Sequence, residues 1–368
     1  MTLRANWTKE DLLKLTFLRS YSSADLVKII ESFNSLKDFT SSESPYAQKF
    51  RQMEIFQNDK LDFEVNRQIE ICKHNNYKIV SFWDEDYPDL LKNIQYPPLL
   101  LFVNGFIKSD CSKNISIVGT RKNTQYGKLV TEQFVEYFVK NDITIISGLA
   151  YGIDSIAHRT ALKNNGITYA VVASGLDEVN PQLSRKLADE MIAKGGAIIT
   201  EYRCGTKSLQ GYFPQRNRII SGLSKATIVI ESAKKGGALI TANFAFDQNR
   251  ELYAVPGNIN SERSKGTNLL IKNLKAQPAI SPKFILEDLG ILSIDKVHKK
   301  QNKKLVFKNI NQELVYNSID SQPIHIDEIV QTINIDISEL LVILLELEFD
   351  GFIKQLPGKY FIKGNFDA

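Results

Sequence analysis

The fold is decided by the stretch Ile143-Thr-Ile-Ile-Ser-Gly-Leu-Ala-Tyr-Gly-Ile-Asp154, in which a short β-branched run leads through a glycine turn into a helical pattern. The same order of strand, turn and helix recurs throughout the middle of the chain. The strand-like runs are Ile115–Gly119, Ile143–Ser147, Tyr169–Ser174, Ala197–Glu201, Thr227–Glu231 and Leu252–Pro256. The helix-like stretches between them are Tyr126–Lys140, Ile153–Lys163, Gln182–Lys194 and Ala238–Asn249. Near-continuous Val/Ile strands that alternate with helices predict an α/β fold with a parallel sheet covered on both faces.

Five of the six strand-like runs end in a turn suited to ligand contact. The turns are Gly119-Thr-Arg121, Ser147-Gly-Leu149, Ser174-Gly-Leu176, Glu231-Ser232 and Pro256-Gly257. The carboxyl ends of parallel strands share one edge of the sheet, and ligands bind in the crevice there. Glycine lets backbone N–H groups approach a phosphate, and the following helix N-termini favour negative charge. These turns predict an anionic ligand, although any parallel sheet needs some glycine in its turns.

A second informative stretch is Phe213-Pro-Gln-Arg-Asn-Arg-Ile-Ile-Ser-Gly222, which follows a loop-like segment carrying Lys207. Arginine supplies a planar fork for phosphate, and an aromatic ring accepts the flat face of any base. A helix start with ordinary surface charges is the alternative interpretation of these residues. For Phe213 itself, burial in the core is as good an interpretation as an outward, stacking orientation.

The composition is that of a globular protein with two or three domains. The chain has 368 residues, of which 43% are hydrophobic and 24% charged. Its longest apolar stretches fall far short of a membrane span, so no membrane partner is expected. The three scattered cysteines favour a reducing, cytoplasmic environment over a disulfide framework. The four histidines show no spacing suited to a metal, and we expect neither a metal nor a cofactor.

Charge is distributed unevenly along the chain. Residues 113–288 hold 23 Lys/Arg against 15 Asp/Glu, a net charge of +8. Residues 289–308 hold 6 against 1, and residues 309–368 hold 3 against 10, a net charge of −7. The basic centre therefore predicts an anionic partner, which argues against a pure protein adaptor, whereas the acidic tail does not predict such a partner.

Four segments are predicted. Residues 1–75 form a helical module similar to a SAM or helix-hairpin-helix domain, although Arg19-Ser-Tyr-Ser-Ser23 replaces the glycine hairpin that contacts DNA. Packing or protein contact is therefore favoured for this module. Residues 76–290 form the α/β domain, 291–308 a basic linker and 309–368 a winged helix, with three helices and a Pro357-Gly358 hairpin. The third helix, Ile337–Phe349, carries acidic residues and no Lys or Arg, so we expect this winged helix not to read DNA.

From Ile115 to Leu289 the chain resembles the DprA/Smf family of bacterial DNA-processing proteins. The matching blocks are Ile117-Val-Gly-Thr-Arg121, Ser147-Gly-Leu-Ala-Tyr-Gly-Ile-Asp-Ser-Ile-Ala-His158, Phe213–Ser224, Gly236-Gly-Ala-Leu-Ile-Thr-Ala242 and Ala254-Val-Pro-Gly257. The resemblance implies an extended Rossmann-like fold that binds single-stranded DNA at the sheet edge, in a protein that is not an enzyme. It also implies a homodimer and delivery of RecA onto DNA in natural transformation and recombination.

The resemblance also implies a set of DNA-binding residues. Arg121 and Lys207 would hold phosphates, while Arg216 and Arg218 would line the pocket. The full set is Gly119, Thr120, Arg121, Ser147, Gly148, Gly152, Lys207, Phe213, Arg216, Asn217, Arg218, Gly236 and Gly237. Where many members read Ser-Gly-Ser, this chain reads Gly236-Gly-Ala238, so phosphate contacts there must come from the backbone. The residues Leu269, Leu270 and Leu274 are a candidate dimer patch, with burial against the sheet as the favoured alternative.

Enzymatic alternatives find less support in the sequence. Asp154 and His158 lie four residues apart on a predicted helix and could form half of an acid–base pair, but a structural role is favoured. Glu231 ends a strand where nucleotide-processing Rossmann relatives place carboxylates. A phosphoribohydrolase-like enzyme is the nearest rival, yet its Pro-Gly-Gly-x-Gly-Thr-x-x-Glu block is missing from the sequence. The pair Gly119 and Gly127 does not satisfy the dinucleotide fingerprint, which disfavours NAD.

Overall fold

The computed structural model describes residues 7–17, 22–52, 60–179, 182–292, 307, 309–320, 322–333 and 335–363. The chain divides into two compact units, Met1–Leu292 and Ser293–Ala368. The predicted basic linker lies outside the described residues, apart from Ile291, Leu292 and Phe307. The boundary proposed between residues 75 and 76 falls inside the first unit and stays a prediction.

A nine-stranded sheet forms the centre of the first unit. Its strands are β1 (Lys78–Ser81), β2 (Leu100–Gly105), β3 (Asn114–Val118), β4 (Thr144–Ser147), β5 (Thr168–Val171), β6 (Ala197–Thr200), β7 (Ala226–Val229), β8 (Glu251–Ala254) and β9 (Gln277–Pro278). They lie in the order β1-β2-β6-β5-β4-β3-β7-β8-β9. Strands β3 to β9 are parallel, whereas β1 and β2 run antiparallel to their neighbours. The six strands predicted from the sequence correspond to β3–β8, so the parallel α/β fold is confirmed.

Helices surround this sheet. Those of the first unit are α1 (Lys9–Leu15), α2 (Ser23–Ser32), α3 (Leu36–Ser41), α4 (Pro45–Arg51), α5 (Lys60–His74), α6 (Asp89–Lys92), α7 (Gln125–Lys140), α8 (Ile153–Lys163), α9 (Gln182–Ala193), α10 (Tyr212–Gly222), α11 (Ala238–Asp247), α12 (Lys265–Lys272) and α13 (Pro282–Asp288). Residues 144–147, 168–171, 197–200 and 226–229 are buried throughout, because helices cover both faces of the parallel strands. Sequence order reverses at β3, which lies between β4 and β7, and this switch point opens a crevice at the carboxyl edge.

The N-terminal helices pack onto the sheet domain. Serine and threonine residues cap them: Thr8 and Ser22 each accept a hydrogen bond from the backbone N–H three residues on, in capping boxes with Asp11 and Asp25. The apolar faces of α1–α5 share one core with residues of β2, β5 and β6, among them Phe102. This arrangement places the helical segment beside the turn that follows β6.

The second unit is a winged helix. Its elements are α14 (Ile310–Ser318), β10 (Ile324–His325), α15 (Ile326–Ile333), α16 (Ile337–Phe349), β11 (Ile353–Leu356) and β12 (Tyr360–Lys363). The three predicted helices and the hairpin are confirmed. Strand β10, which the sequence did not indicate, pairs with β12 to complete a three-stranded sheet, and the unit has its own apolar core.

Two further observations concern the chain's chemistry. Cys72, Cys111 and Cys204, the three cysteines of the sequence, are buried and unpaired. Among the described residues, no helix combines the length and apolarity needed to cross a membrane.

Candidate nucleic-acid interface

Two turns meet at the carboxyl edge of β3 and β4. The backbone N–H of Thr120 donates to the carbonyl of Glu231 (2.9 Å), and the Thr120 carbonyl accepts from the N–H of Ile153 (3.3 Å). Gly152 has φ +81°, and a Cβ there would lie 2.3 Å from the Thr120 oxygen. Gly119 faces Ile153 closely in the same way, with a Cβ-to-side-chain distance of 2.5 Å. These glycines are therefore needed to bring the two turns together.

Arg216 lies buried beneath this edge. Its side chain is 5% exposed, and Nη1 donates to the carbonyls of Gly148 (2.8 Å) and Val171. Asp154 provides the opposite charge, and its Oδ2 accepts from the backbone N–H of Gly148 (3.2 Å) and Ala150 (3.4 Å). A Cβ on Gly148 would come within 2.8 Å of the Asp154 carboxylate and 2.9 Å of the Arg216 guanidinium, so this position requires glycine. The buried pair holds the ends of β4 and β5 in place.

Burial shifts the proton affinities of this cluster. It raises the pKa of Asp154 to about 6 despite the attraction of Arg216, and it lowers the pKa of Arg216 to about 10. Burial, reinforced by repulsion from Arg216, lowers the pKa of His158 to about 3, so this imidazole is neutral at pH 7. His158 Nδ1 lies 2.7 Å from Thr168 Oγ1. Asp154 and His158 thus each have structural partners, as the favoured interpretation predicted.

Next to the buried pair, an aromatic ring lies near two guanidinium groups. Phe213 is half-buried, and its ring centroid lies 5.6 Å from the Arg121 guanidinium and 6.0 Å from that of Arg216. The open question about Phe213 is thereby answered: its ring lines a cleft of about 180 Å³ with Arg121, Arg216 and Tyr151. Arg121 is exposed, and half of Tyr151 is exposed. We call this space the first cleft; it unites an exposed cation, a buried cation and two rings.

Lys207 lies in a different place. It is exposed and lines a larger cleft of about 590 Å³, which also contacts Tyr202 and Tyr212. We call this space the second cleft. The two tyrosine rings stack with centroids 4.4 Å apart and an interplanar angle of 21°. No sequence motif indicated these rings, although Tyr212 directly precedes Phe213.

Arg218 does not line the first cleft, which corrects the expectation that it accompanies Arg216 there. It is 4% exposed, and Nη2 donates to the Glu201 carboxylate and to Ser23 Oγ (2.8 Å). The reason is helical geometry, because side chains two residues apart on a helix do not face the same way. Arg218 therefore fastens α10 to the N-terminal helix α2.

The remaining candidate residues support the site or lie beside it. Ser147 is fully buried and donates to the Ile117 carbonyl (2.6 Å), and Asn217 Oδ1 accepts from Arg216 Nε (3.2 Å). A Cβ on Gly236 would lie 2.2 Å from Ser232 Oγ, so a side chain there would require Ser232 to move, whereas Gly237 borders open space. Both glycines precede α11 and line neither cleft. The exposed Lys234 and Lys235 beside them are cations that no motif had indicated.

Glu231 is occupied by a structural role. Its Oε1 accepts from Thr124 Oγ1 and its Oε2 from the Thr124 backbone N–H (2.9 Å), next to the start of α7. Only 2% of the residue is exposed. The carboxylate is therefore not presented to a ligand in the crevice.

The winged helix presents the opposite surface chemistry. Helix α16 buries Leu340, Ile343, Leu344 and Leu347 in the core of its unit. On its other side, Leu341, Val342, Leu345 and Phe349 are 46%, 57%, 54% and 84% exposed. Glu339 and Glu346 flank Val342 and accept hydrogen bonds from Asn311 (2.7 Å) and Gln312 (3.2 Å) of α14. The helix that enters the major groove in DNA-reading winged helices is here apolar and acidic.

The fold defines a class: Rossmann-like α/β proteins with a crevice at the carboxyl edge of a parallel sheet. Residues 78–290 match the model of the DNA recombination-mediator protein A family, and residues 310–359 match the DprA winged helix domain. The chain therefore belongs to the DprA/Smf family.

Similar proteins agree with this assignment. Protein Smf of Escherichia coli is 35% identical over 295 residues, which span 77% of each chain. The crystal structure of DNA processing protein A from Streptococcus pneumoniae superposes with a TM-score of 0.63 at 29% identity, covering 76% of this chain and 98% of that chain. A Helicobacter pylori DNA processing protein A, described in terms of its single-stranded DNA binding mode, superposes with a TM-score of 0.52 at 28% identity, covering 59% and 96%.

Proposed function

We propose that this protein binds single-stranded DNA without regard to base sequence, with the first cleft as the centre of the site. One observation carries the proposal: the Phe213 ring centroid lies within 6.0 Å of both the exposed Arg121 guanidinium and the buried Arg216 guanidinium. The two guanidinium groups suit phosphates, and the ring suits any base, because every base has a π-face. The single-stranded DNA binding mode of the H. pylori protein supports the same ligand for this chain.

A salt-titrated binding assay tests this proposal. Affinity for single strands should exceed affinity for duplex of the same length, and it should fall with salt with a log–log slope of about −0.7 per phosphate contacted. Equal affinity for duplex, or binding insensitive to salt, would contradict the proposal. Release of free base from a nucleoside monophosphate would instead favour the phosphoribohydrolase alternative over our proposal that the protein is not an enzyme.

We further propose that the protein acts as a homodimer. Leu270 of the candidate patch is buried and Leu269 half-buried, but Leu274 is 91% exposed at the edge of the sheet near β9. Ile280 and Phe284, which follow β9, are 68% and 53% exposed. The cluster of exposed apolar side chains beside β9 suits self-association. Light scattering should find a dimer, and Leu274→Glu should shift it toward monomer; a wild-type monomer at micromolar concentration would exclude this proposal.

The biological role we propose is delivery of RecA onto single strands in the cytoplasm, during natural transformation and recombination. Membership of the DNA recombination-mediator family supports this role. The exposed apolar and acidic face of α16 suits a protein contact better than DNA, since duplex DNA carries about one negative charge per 1.7 Å. Adding the protein should shorten the lag of RecA assembly on single strands, and an unchanged lag at saturating protein would contradict RecA delivery.

A further inference from the structure

We propose that the second cleft is a separate base-binding subsite on the same single strand, and that the N-terminal helices form its outer wall. The inference rests on the proposed function and deepens it, because it extends the DNA path beyond the first cleft. Residues from α1 and α2, including Leu15, Ser23 and Leu26, face Tyr202 and Tyr212 across this cleft. The N-terminal helical module would then contribute one wall of the DNA-binding site.

The start of α10 is a ridge between the two clefts. Tyr212 and Gln215 line the second cleft, whereas Phe213 and Arg216 line the first. Consecutive side chains at a helix start point in different directions, so adjacent aromatic residues serve opposite sides of one ridge. The loop before the helix follows the same division, since Lys207 lines the second cleft and Ser208 the first. A strand crossing this ridge would meet an aromatic ring on either side.

The tyrosine pair is a rigid platform for stacking. Tyr202 and Tyr212 are half-buried, and their mutual stacking fixes the orientation of each ring. A base that adds to such a stack contributes about 1–3 kcal/mol by alanine substitution, without preference for its identity.

Cations lie around the platform. The Arg203 guanidinium packs 3.8 Å from the centre of the Phe17 ring and donates to the Thr16 carbonyl (2.8 Å), which anchors a positive charge against α1. Lys207 is exposed on the loop between the clefts. Glu201, the acidic residue in the lining, is paired with Arg218. The cleft therefore offers positive charge for a backbone and a ring pair for a base.

The test compares oligothymidylates of increasing length. Tyr212→Ala should leave the affinity of the shortest bound oligomers unchanged and weaken those long enough to reach both clefts by about 5- to 150-fold, the equivalent of about 1–3 kcal/mol for one stacked base. Tyr212→Phe keeps the ring and should match the wild type at every length. Phe213→Ala should weaken binding at every length. Equal affinities for Tyr212→Ala and wild type at all lengths would overturn the inference.

A second variant guards against misfolding of Tyr212→Ala. Gln215 is exposed and lines the second cleft, so Gln215→Glu places a carboxylate there with almost no change in shape. Gln210→Glu is the matched control, because Gln210 is also exposed, precedes the start of α10 by two residues and lines neither cleft. Gln215→Glu should weaken only the longer oligomers and Gln210→Glu should not; identical behaviour of the two would also overturn the inference. If the wild type binds no single strand at all, it is the proposed function that fails.

Discussion

The two units present exposed faces of opposite charge and chemistry. At the edge of the Rossmann-like sheet, α10 buries Arg216 and Arg218 and presents Phe213 beside the exposed Arg121. In the winged helix, α16 presents Leu341, Leu345 and Phe349 among acidic residues. The segment 113–288 has a net charge of +8, and residues 309–368 have −7. The comparison teaches that the residues at the exposed face, and not the shape of a DNA-binding fold, decide what a module can bind.

The largest effect should come from replacing Arg216, the buried arginine of the first cleft. Arg216→Ala leaves the Asp154 carboxylate buried without its counter-charge, so the free energy of unfolding should fall by about 3–5 kcal/mol at pH 7.5. Because burial raises the pKa of Asp154 to about 6, protonation relieves this charge, and the loss should shrink when unfolding is measured at pH 5. A loss that is small, or independent of pH, would mean that Arg216 is not part of the structural frame.

Replacement of the exposed cations Arg121 and Lys207 should affect DNA binding and leave stability almost unchanged. Arg121→Ala and Lys207→Ala should each weaken single-strand binding by about 1.5–3 kcal/mol, since each removes a charged phosphate donor. Their unfolding temperatures should stay near that of the wild type, because exposed substitutions shift stability by about 0.5 kcal/mol at most. Salt titration provides the check: each variant should lower the slope by about 0.7. Normal binding by either variant would remove that residue from the site.

A third effect, which develops gradually with each unit of pH, concerns the buried histidine beneath the edge. The pKa of His158 is lowered to about 3 in the folded chain, below its ordinary value near 6.5, so the folded state disfavours the charged form. Its contribution to stability is therefore present above about pH 6.5 and is lost as pH falls toward about 3, by about 1.4 kcal/mol per pH unit. His158→Gln should become progressively more stable relative to wild type over this window. Parallel pH profiles from urea unfolding would contradict this.

The smallest effect should come from removing the acidic unit. Deletion of residues 309–368, with residues 291–308 retained, should leave single-strand affinity within a few-fold of the full chain. The physical reason is that α16 offers phosphates no Lys or Arg, while the first unit keeps both clefts. A large loss of affinity in a truncated protein that is folded and dimeric would break the contrast between the two units.

The parallel sheet could be predicted because its signal is local. Buried runs such as Ile143–Ser147 are β-branched, end in glycine turns and lead into amphipathic helices. Each strand–turn–helix segment can therefore be recognised from its own residues. The antiparallel strand β2 carries no such local signal, because its pairing with β6 joins segments far apart in the chain. The same is true of β10, which has two residues and becomes a strand through β12.

The site was only partly predictable, for reasons that concern side-chain direction. Motifs indicated Arg121, Phe213 and Arg216 together, and the structure brings these three side chains to one cleft. Burial of Arg216 could not be predicted, because arginine is rarely buried and its partner Asp154 lies on another helix. The sequence does predict that Arg218 points away from Arg216, because side chains two residues apart on a helix do not face the same way. The second cleft required knowledge of where α1 and α2 pack, which no local pattern supplies.

The two faces of α16 are constrained by the fold to different degrees. Leu340, Ile343, Leu344 and Leu347 fill the core of the winged helix, where a change of even one methylene group is felt. Leu341, Val342, Leu345 and Phe349 contribute little to that core, so the fold does not constrain them. Across the family, the inner positions should vary only among residues of similar volume. The outer positions can change without disturbing that core, so one short helix can keep its fold while the chemistry of its exposed face differs.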